Sequence, residues 1–186
     1  LRTARSVHTA TTLRSGHVLV AGGMAEGGGS LASIELFDPA VNTVEEVGTL
    51  MERRAGHTAT RLGDGRVLIA GGFNGQYLAS VETFDPSTRR STRSGSLREG
   101  RSGQTATLLP DGRVLFVGGV GRDWTFLRSA ELYDPATGQS ELVAPMSVRR
   151  ESHTATLLED GRVLIIGGHS ARHQNMEVYG SAEVFS

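Results

Sequence analysis

The chain has no cysteine, no lysine and a single tryptophan in 186 residues. Without cysteine there can be no disulfide framework and no thiolate metal site, and neither a reducing nor an oxidising compartment is indicated. No apolar run approaches the roughly 18 residues needed to span a membrane as a helix. The formal net charge is −1, and neither half is strongly charged, so nothing implies a general attraction to nucleic acid or anionic lipid. All 19 basic residues are arginine. Arginine is the better fork for phosphate and carboxylate, yet its uniform use reads as the base composition of a GC-rich genome. Helical periodicity is missing throughout. No signal peptide is present, and the first residue is Leu1, so the natural N-terminus is expected upstream or removed. The compartment is not readable from this segment.

What the chain does have is one unit written four times. The phrase His-Thr-Ala-Thr occurs at His8, His57 and His153, with Gln104 in its place in the third copy, at steps of 49, 47 and 49 residues. A turn and an apolar run follow each phrase and end in Gly-Gly: Gly22-Gly23, Gly71-Gly72, Gly118-Gly119 and Gly167-Gly168. A variable loop then leads to Phe37-Asp38-Pro39, Phe84-Asp85-Pro86 and Tyr133-Asp134-Pro135, while the fourth copy reaches Phe185-Ser186. A fixed period of this size marks a repeat architecture. In the second unit, His57 to Leu62 alternates, Gly63-Asp64-Gly65 is a tight turn, and Val67 to Ala70 is continuous apolar sequence expected of a strand buried on both faces. Ser80 to Phe84 reads as a third strand. Asp85-Pro86 opens a turn, with Pro presetting φ, and Arg90 to Arg93 reads as a polar outer strand. Val44 to Val47 and Gln139 to Val143 are its counterparts.

Four short antiparallel strands per unit predict an all-β fold of radially arranged sheets, a β-propeller. The repeats are expected at 1–49, 50–98, 99–145 and 146–186, the last without its outer strand, within one propeller segment over 1–186. The small Thr-Ala-Thr strand suits the narrow centre, and Gly-Gly removes side chains where backbones approach closely. The run Asp-Gly-Arg-Val-Leu-x-x-Gly-Gly, then Glu-x-Phe/Tyr-Asp-Pro, then Arg-x-x-His-Thr-Ala-Thr, resembles the Kelch repeat, especially its bacterial form. The resemblance covers nearly the whole chain. It departs from the family pattern in one respect: Kelch repeats usually carry a Trp in the fourth strand, and the only Trp here, Trp124, lies in a loop. The family usually closes its ring with six or seven units. Four units therefore leave three readings: an arc of a larger ring, a closed four-bladed ring, or two chains forming eight blades, with self-association through open edges.

Two residue sets recur in every unit. A Glu stands in each third strand (Glu35, Glu82, Glu131, Glu183), and an Arg precedes each first strand (Arg5, Arg54, Arg101, Arg150). A strand Glu covered by neighbouring blades needs a partner, so these residues are expected to pair as buried structural ions, within or between blades. The recurring His8, His57 and His153 could in principle gather a metal. Gln104 serves at the same position with similar hydrogen-bonding capacity, which makes packing the expected role and no metal the expectation. No cofactor is expected. Gly27-Gly28-Gly29 lacks the lysine and helix of a phosphate loop.

Function in repeat scaffolds lies where copies differ. The Asp-Gly and Asp-Pro turns fall on one propeller face, and the loops after Gly-Gly fall on the other with the inter-blade links. Those loops carry Phe73, Asn74, Tyr77, Arg122, Asp123, Trp124, Phe126, His169, Arg172, His173 and Tyr179. Aromatics and arginines on loops over a rigid scaffold suit recognition. The expected function is non-enzymatic binding of a protein or peptide, with a glycan close behind. Phe126 and Tyr77 could equally pack against neighbouring blades, and His169 and His173 could sit in a plain solvated loop. The resemblance also raises an alternative, a carbohydrate-active propeller of the epimerase or oxidase kind whose pocket needs blades beyond these four. Galactose oxidase and related enzymes use a Cys–Tyr crosslink that this chain cannot form. An epimerase would need acid–base groups converging on a pocket.

Overall fold

The computed structural model describes residues 1–171 and 176–186. Fifteen strands form four antiparallel sheets among these residues. The first is β1 (Thr9–Thr12), β2 (Val18–Ala21), β3 (Ser33–Asp38) and β4 (Thr43–Thr49), in that spatial order. The second is β5 (Thr58–Arg61), β6 (Val67–Ala70), β7 (Ser80–Asp85) and β8 (Arg90–Ser96). The third is β9 (Thr105–Leu108), β10 (Val114–Val117), β11 (Ala130–Asp134) and β12 (Gln139–Val143). The fourth has three strands, β13 (Thr154–Leu157), β14 (Val163–Ile166) and β15 (Ala182–Phe185). Each is an up-and-down blade whose chain order is its spatial order, so successive strands need only tight turns and short loops. The outer strands run further than the sequence pattern suggested, to Thr49 and Ser96. One 3₁₀ turn, Arg122–Trp124, is the single helical element among the described residues.

The inner strands pack in series, β1 on β5, β5 on β9 and β9 on β13, with no comparable packing of β13 on β1. The blades therefore form an open arc of a propeller. The apolar core lies between blades rather than inside any one of them. Leu19, Ala21, Ile34 and Val47 of the first blade meet Val67, Ile69 and Phe84 of the second. Leu68, Ala70 and Val81 meet Val114, Phe116 and Tyr133 of the third. Leu115, Val117, Ala130 and Leu132 meet Val163 and Ile165 of the fourth. This is why β6 and β10 read as unbroken apolar runs, since both of their faces are covered. The outward face of the fourth blade has no such cover among the described residues: Ile166 and Val184 are 43% and 49% exposed, where their counterparts Val117 and Leu132 are buried.

The Gly-Gly pair explains how blades come so close. A Cβ on Gly22, Gly71 or Gly118 would lie 2.6, 2.6 or 2.5 Å from the carbonyl oxygen of Arg54, Arg101 or Arg150, each on the following blade. Their φ angles of +57°, +69° and +62° add a second reason for glycine. Further cross-blade ties come from the backbone, Gly56 N–H to Val7 C=O at 3.0 Å and Gly103 N–H to Gly56 C=O at 2.9 Å. Tyr133 adds one from its side chain, donating its hydroxyl to the Ser94 carbonyl at 2.5 Å.

Candidate functional site

Every blade has a buried arginine at its centre. Arg54 donates through Nη1 to the carbonyls of Gly71 (2.7 Å) and Ser80 (3.2 Å), and through Nη2 to Ser80 Oγ (3.1 Å) and Glu82 Oε1 (2.7 Å). Arg101 repeats the pattern on Gly118, Ser129 and Glu131, and Arg150 on Gly167, Ser181 and Glu183. Arg5 does the same on Gly22, Ser33 and Glu35, with a direct guanidinium–carboxylate contact. The second carboxylate oxygen of each Glu accepts an N–H from the incoming inter-blade link: Arg2, Met51, Arg98 and Ser147 respectively. Each pair thus lies within one blade and clamps the link, the Gly-Gly strand end and β3, β7, β11 or β15 together. Burial pushes the Arg54 guanidinium below its usual range, and the Glu82 charge opposes that.

His57 and His153 lie in seams between blades. His57 Nε2 and Thr9 Oγ1 share a hydrogen bond of 3.0 Å, as do His153 Nε2 and Thr105 Oγ1. Gln104 instead donates to the Ala70 carbonyl at 2.9 Å. Burial, reinforced by the neighbouring Arg54 charge, lowers the His57 pKa to about 3, and burial with Arg150 lowers that of His153 to about 4. An unfolded histidine titrates near 6.5. Below that value the unfolded chain binds protons that the folded chain refuses, so stability is full above pH 6.5 and falls as pH drops towards 4. The expected slope is up to about 1.4 kcal/mol per pH unit for each of the two imidazoles. Urea melts between pH 7 and 4.5 check this, and His57→Gln, copying Gln104, should flatten roughly half of the slope.

On the loop face, the structure brings together three of the aromatics singled out above. Phe73 and Tyr77 come from the loop of the second blade and Trp124 from that of the third. The ring centroids lie 5.1 Å (Phe73–Tyr77), 6.3 Å (Phe73–Trp124) and 5.9 Å (Tyr77–Trp124) apart, the last pair edge-to-face. They border a groove of about 810 Å³ with Arg98, Glu99, Gly100, Arg122 and Asp123. Trp124 remains 58% exposed. Asp123 and Trp124 both adopt left-handed φ, 55° and 59°, which costs an L-residue of order 1 kcal/mol or more each. Strain of this kind is found where a side chain must be presented in a particular direction. A second cavity of about 430 Å³, lined by Gly28, Ser30, Glu52, Arg53, Phe73 and Asn74, adjoins the first at Phe73.

The other residues on that face are placed differently. Asn74 caps its own turn, its Oδ1 accepting the Gln76 N–H at 3.3 Å. The exposed Arg122 and Asp123 face each other at 3.9 Å. Phe126 is not part of the trio but meets His169 of the next blade edge-to-face at 5.7 Å. His169 Nδ1 lies 3.1 Å from the Ala171 carbonyl, and its backbone bridges Glu151 and Val178. Tyr179 lies under the Arg150 guanidinium, 5.3 Å from its ring centre. Arg172 and His173 lie outside the described residues. Reading loops alone missed Glu52, Arg53, Arg98 and Glu99, which belong to the inter-blade links. The available signal was that those links share a face with the variable loops.

Sheets of four antiparallel strands, packed face to face about a common centre, define a β-propeller. A sequence model of the Kelch motif matches residues 53–98 and 103–147, so the second and third units are Kelch repeats. The solved structure of YjhT is similar over 97% of this chain and 68% of that one, with a TM-score of 0.81 and 16% identity, a likeness of fold alone. No curated protein sequence matches the chain. Kelch repeats generally mediate protein interactions, which makes a generic interaction module the coarse functional class.

Proposed function

We propose that this propeller segment is a non-enzymatic recognition module that binds a protein or peptide ligand on its loop face, with the groove between the second and third blades as the main contact. One observation carries this reading: Phe73, Tyr77 and Trp124, from loops of two blades, converge on a single groove in which Trp124 is left largely exposed. A rigid aromatic surface loses little conformational freedom on binding, and clusters of this kind dominate the energetics of interfaces. The flanking Arg98, Glu99, Arg122 and Asp123 supply a polar rim.

The test starts from a peptide selected by display on the wild-type chain, with affinity measured by calorimetry. Trp124→Ala should weaken binding at least about tenfold, with smaller, graded losses for Phe73→Ala and Arg122→Ala. Unchanged affinity in all three variants would reject this face.

A further inference from the structure

The internal repeat allows one blade to be used as a template for the next. Glu52 and Glu99 hold equivalent positions, two residues before the buried Arg54 and Arg101. Each has one carboxylate oxygen fixed by a serine hydroxyl: Ser80 donates to Glu52 Oε2 at 2.8 Å and Ser129 to Glu99 Oε2 at 2.7 Å. Their other oxygens differ. In the second blade Arg93 donates to Glu52 Oε1 at 2.9 Å. Arg93 sits in β8 as the register partner of Glu82; in the third blade the register partner of Glu131 is Leu142. The arginine of one blade is therefore an exposed leucine in the next, 62% accessible.

Glu99 accordingly keeps a carboxylate that is 43% exposed, and among the described residues no hydrogen bond reaches its Oε1. Among the described residues the cation within 4 Å of it is the buried Arg101, 3.6 Å away and engaged with Glu131 at 2.6 Å. The other arginines lining the groove are Arg98 and Arg122. Arg98 directs Nε to the Ser140 carbonyl at 2.7 Å, and Arg122 faces Asp123. Glu99 lines the same groove as Trp124 and Tyr77. A carboxylate next to aromatic faces attracts a guanidinium or ammonium group both by charge and through the ring quadrupole.

We propose that Glu99, Trp124 and Tyr77 form a receptor for one cationic side chain, arginine or lysine, of the bound peptide, supplying in the third blade the charge that Arg93 supplies in the second. The proposal rests on the peptide-binding reading above. The same repeat logic identifies an internal competitor. Leu142→Arg rebuilds the second-blade ion pair on Glu99 and should close the receptor without altering the groove aromatics.

Trp124 is the only tryptophan, so its fluorescence reports on this groove directly. The probes are nonapeptide pools blocked at both ends, randomised except for a fixed central residue. The arginine and lysine pools should shift Trp124 emission saturably, with at least about fivefold tighter binding than the glutamine pool. Glu99→Gln and Leu142→Arg should each erase that preference while leaving the urea midpoint near the wild-type value. Equal binding of the arginine and glutamine pools, lost in Trp124→Ala, overturns the cation receptor and leaves the groove. A preference that survives both variants overturns the role of Glu99. Emission unmoved by every pool overturns both this proposal and the reading on which it rests.

Discussion

Arg54→Met lowers the stability of the chain by about 3–5 kcal/mol, the usual cost of removing one partner of a buried ion pair. The guanidinium makes four hydrogen bonds, two of them to backbone carbonyls, of Gly71 and Ser80, the first fully buried. Methionine fills much of the volume but donates nothing. It leaves Glu82, itself buried, with the Met51 N–H as its remaining donor at the site. The second-blade loop starts at Gly71 and the following strand at Ser80, so the same change loosens the base of the loop carrying Phe73 and Tyr77. Urea unfolding at pH 7 measures the loss. The double change Arg54→Met with Glu82→Leu should recover part of it, because an apolar pair leaves no stranded charge. A loss under about 1 kcal/mol for the single variant would show that the pair does not hold the blade together.

The second large effect is a contrast between two equivalent glycines. Gly118→Ala places a methyl 2.5 Å from the Arg150 carbonyl, 2.8 Å from the His153 ring and 3.0 Å from the Met146 side chain, all across the seam into the fourth blade. Gly167 has a similar φ of +74°, but among the described residues a methyl there meets only the Tyr179 carbonyl, at 3.7 Å. Both alanines carry the cost of a left-handed L-residue, about 1–2 kcal/mol. Only Gly118→Ala forces two blades apart, adding roughly 1–3 kcal/mol of overpacking. Gly118→Ala is therefore expected to destabilise by about 2–5 kcal/mol and Gly167→Ala by about 1–2 kcal/mol. Denaturant midpoints of the two variants decide it. Equal losses would mean that the first glycine of the pair answers only to backbone conformation, and that the close approach of blades is not its reason.

Much of the architecture was legible because the repeat states it four times. The apolar run Val67 to Ala70 reads as a doubly covered strand, and it is one because β6 lies between two neighbouring blades. The recurrence of Arg54 and Glu82 with their counterparts pointed to buried ion pairs. Whether these lay within or between blades was open in the sequence, since both geometries satisfy a buried carboxylate. The register of β7 and the path of the link decide for the same blade. The histidines could be read as packing residues from Gln104 alone, but not the seams they fill. His57 reaches Thr9 from 48 residues away, a distance that only blade-on-blade packing closes.

The candidate site was less legible. Phe73, Tyr77 and Trp124 could be named as loop aromatics, yet Phe126 carried the same signal and packs on His169 instead. The difference arises from the left-handed turn at Asp123 and Trp124, which sends one ring back over the second blade. Glu99 escaped notice because a charged link residue looks like ordinary solvated chain until Leu142 is seen to stand where Arg93 does.

By itself the amino-acid sequence determined the all-β class, the number of repeated units, the strand order within each and the face on which variation is concentrated. All of these follow from local alternation, turn chemistry and a period near 49 residues, which are properties of contiguous chain. Tertiary structure alone decided the pairing of each Arg with the Glu of its own blade, the open arc and the convergence of three aromatics on one groove. Those depend on how one blade is rotated against the next, and that rotation is set by packing between residues about 50 positions apart, for which no local pattern in the chain is a guide.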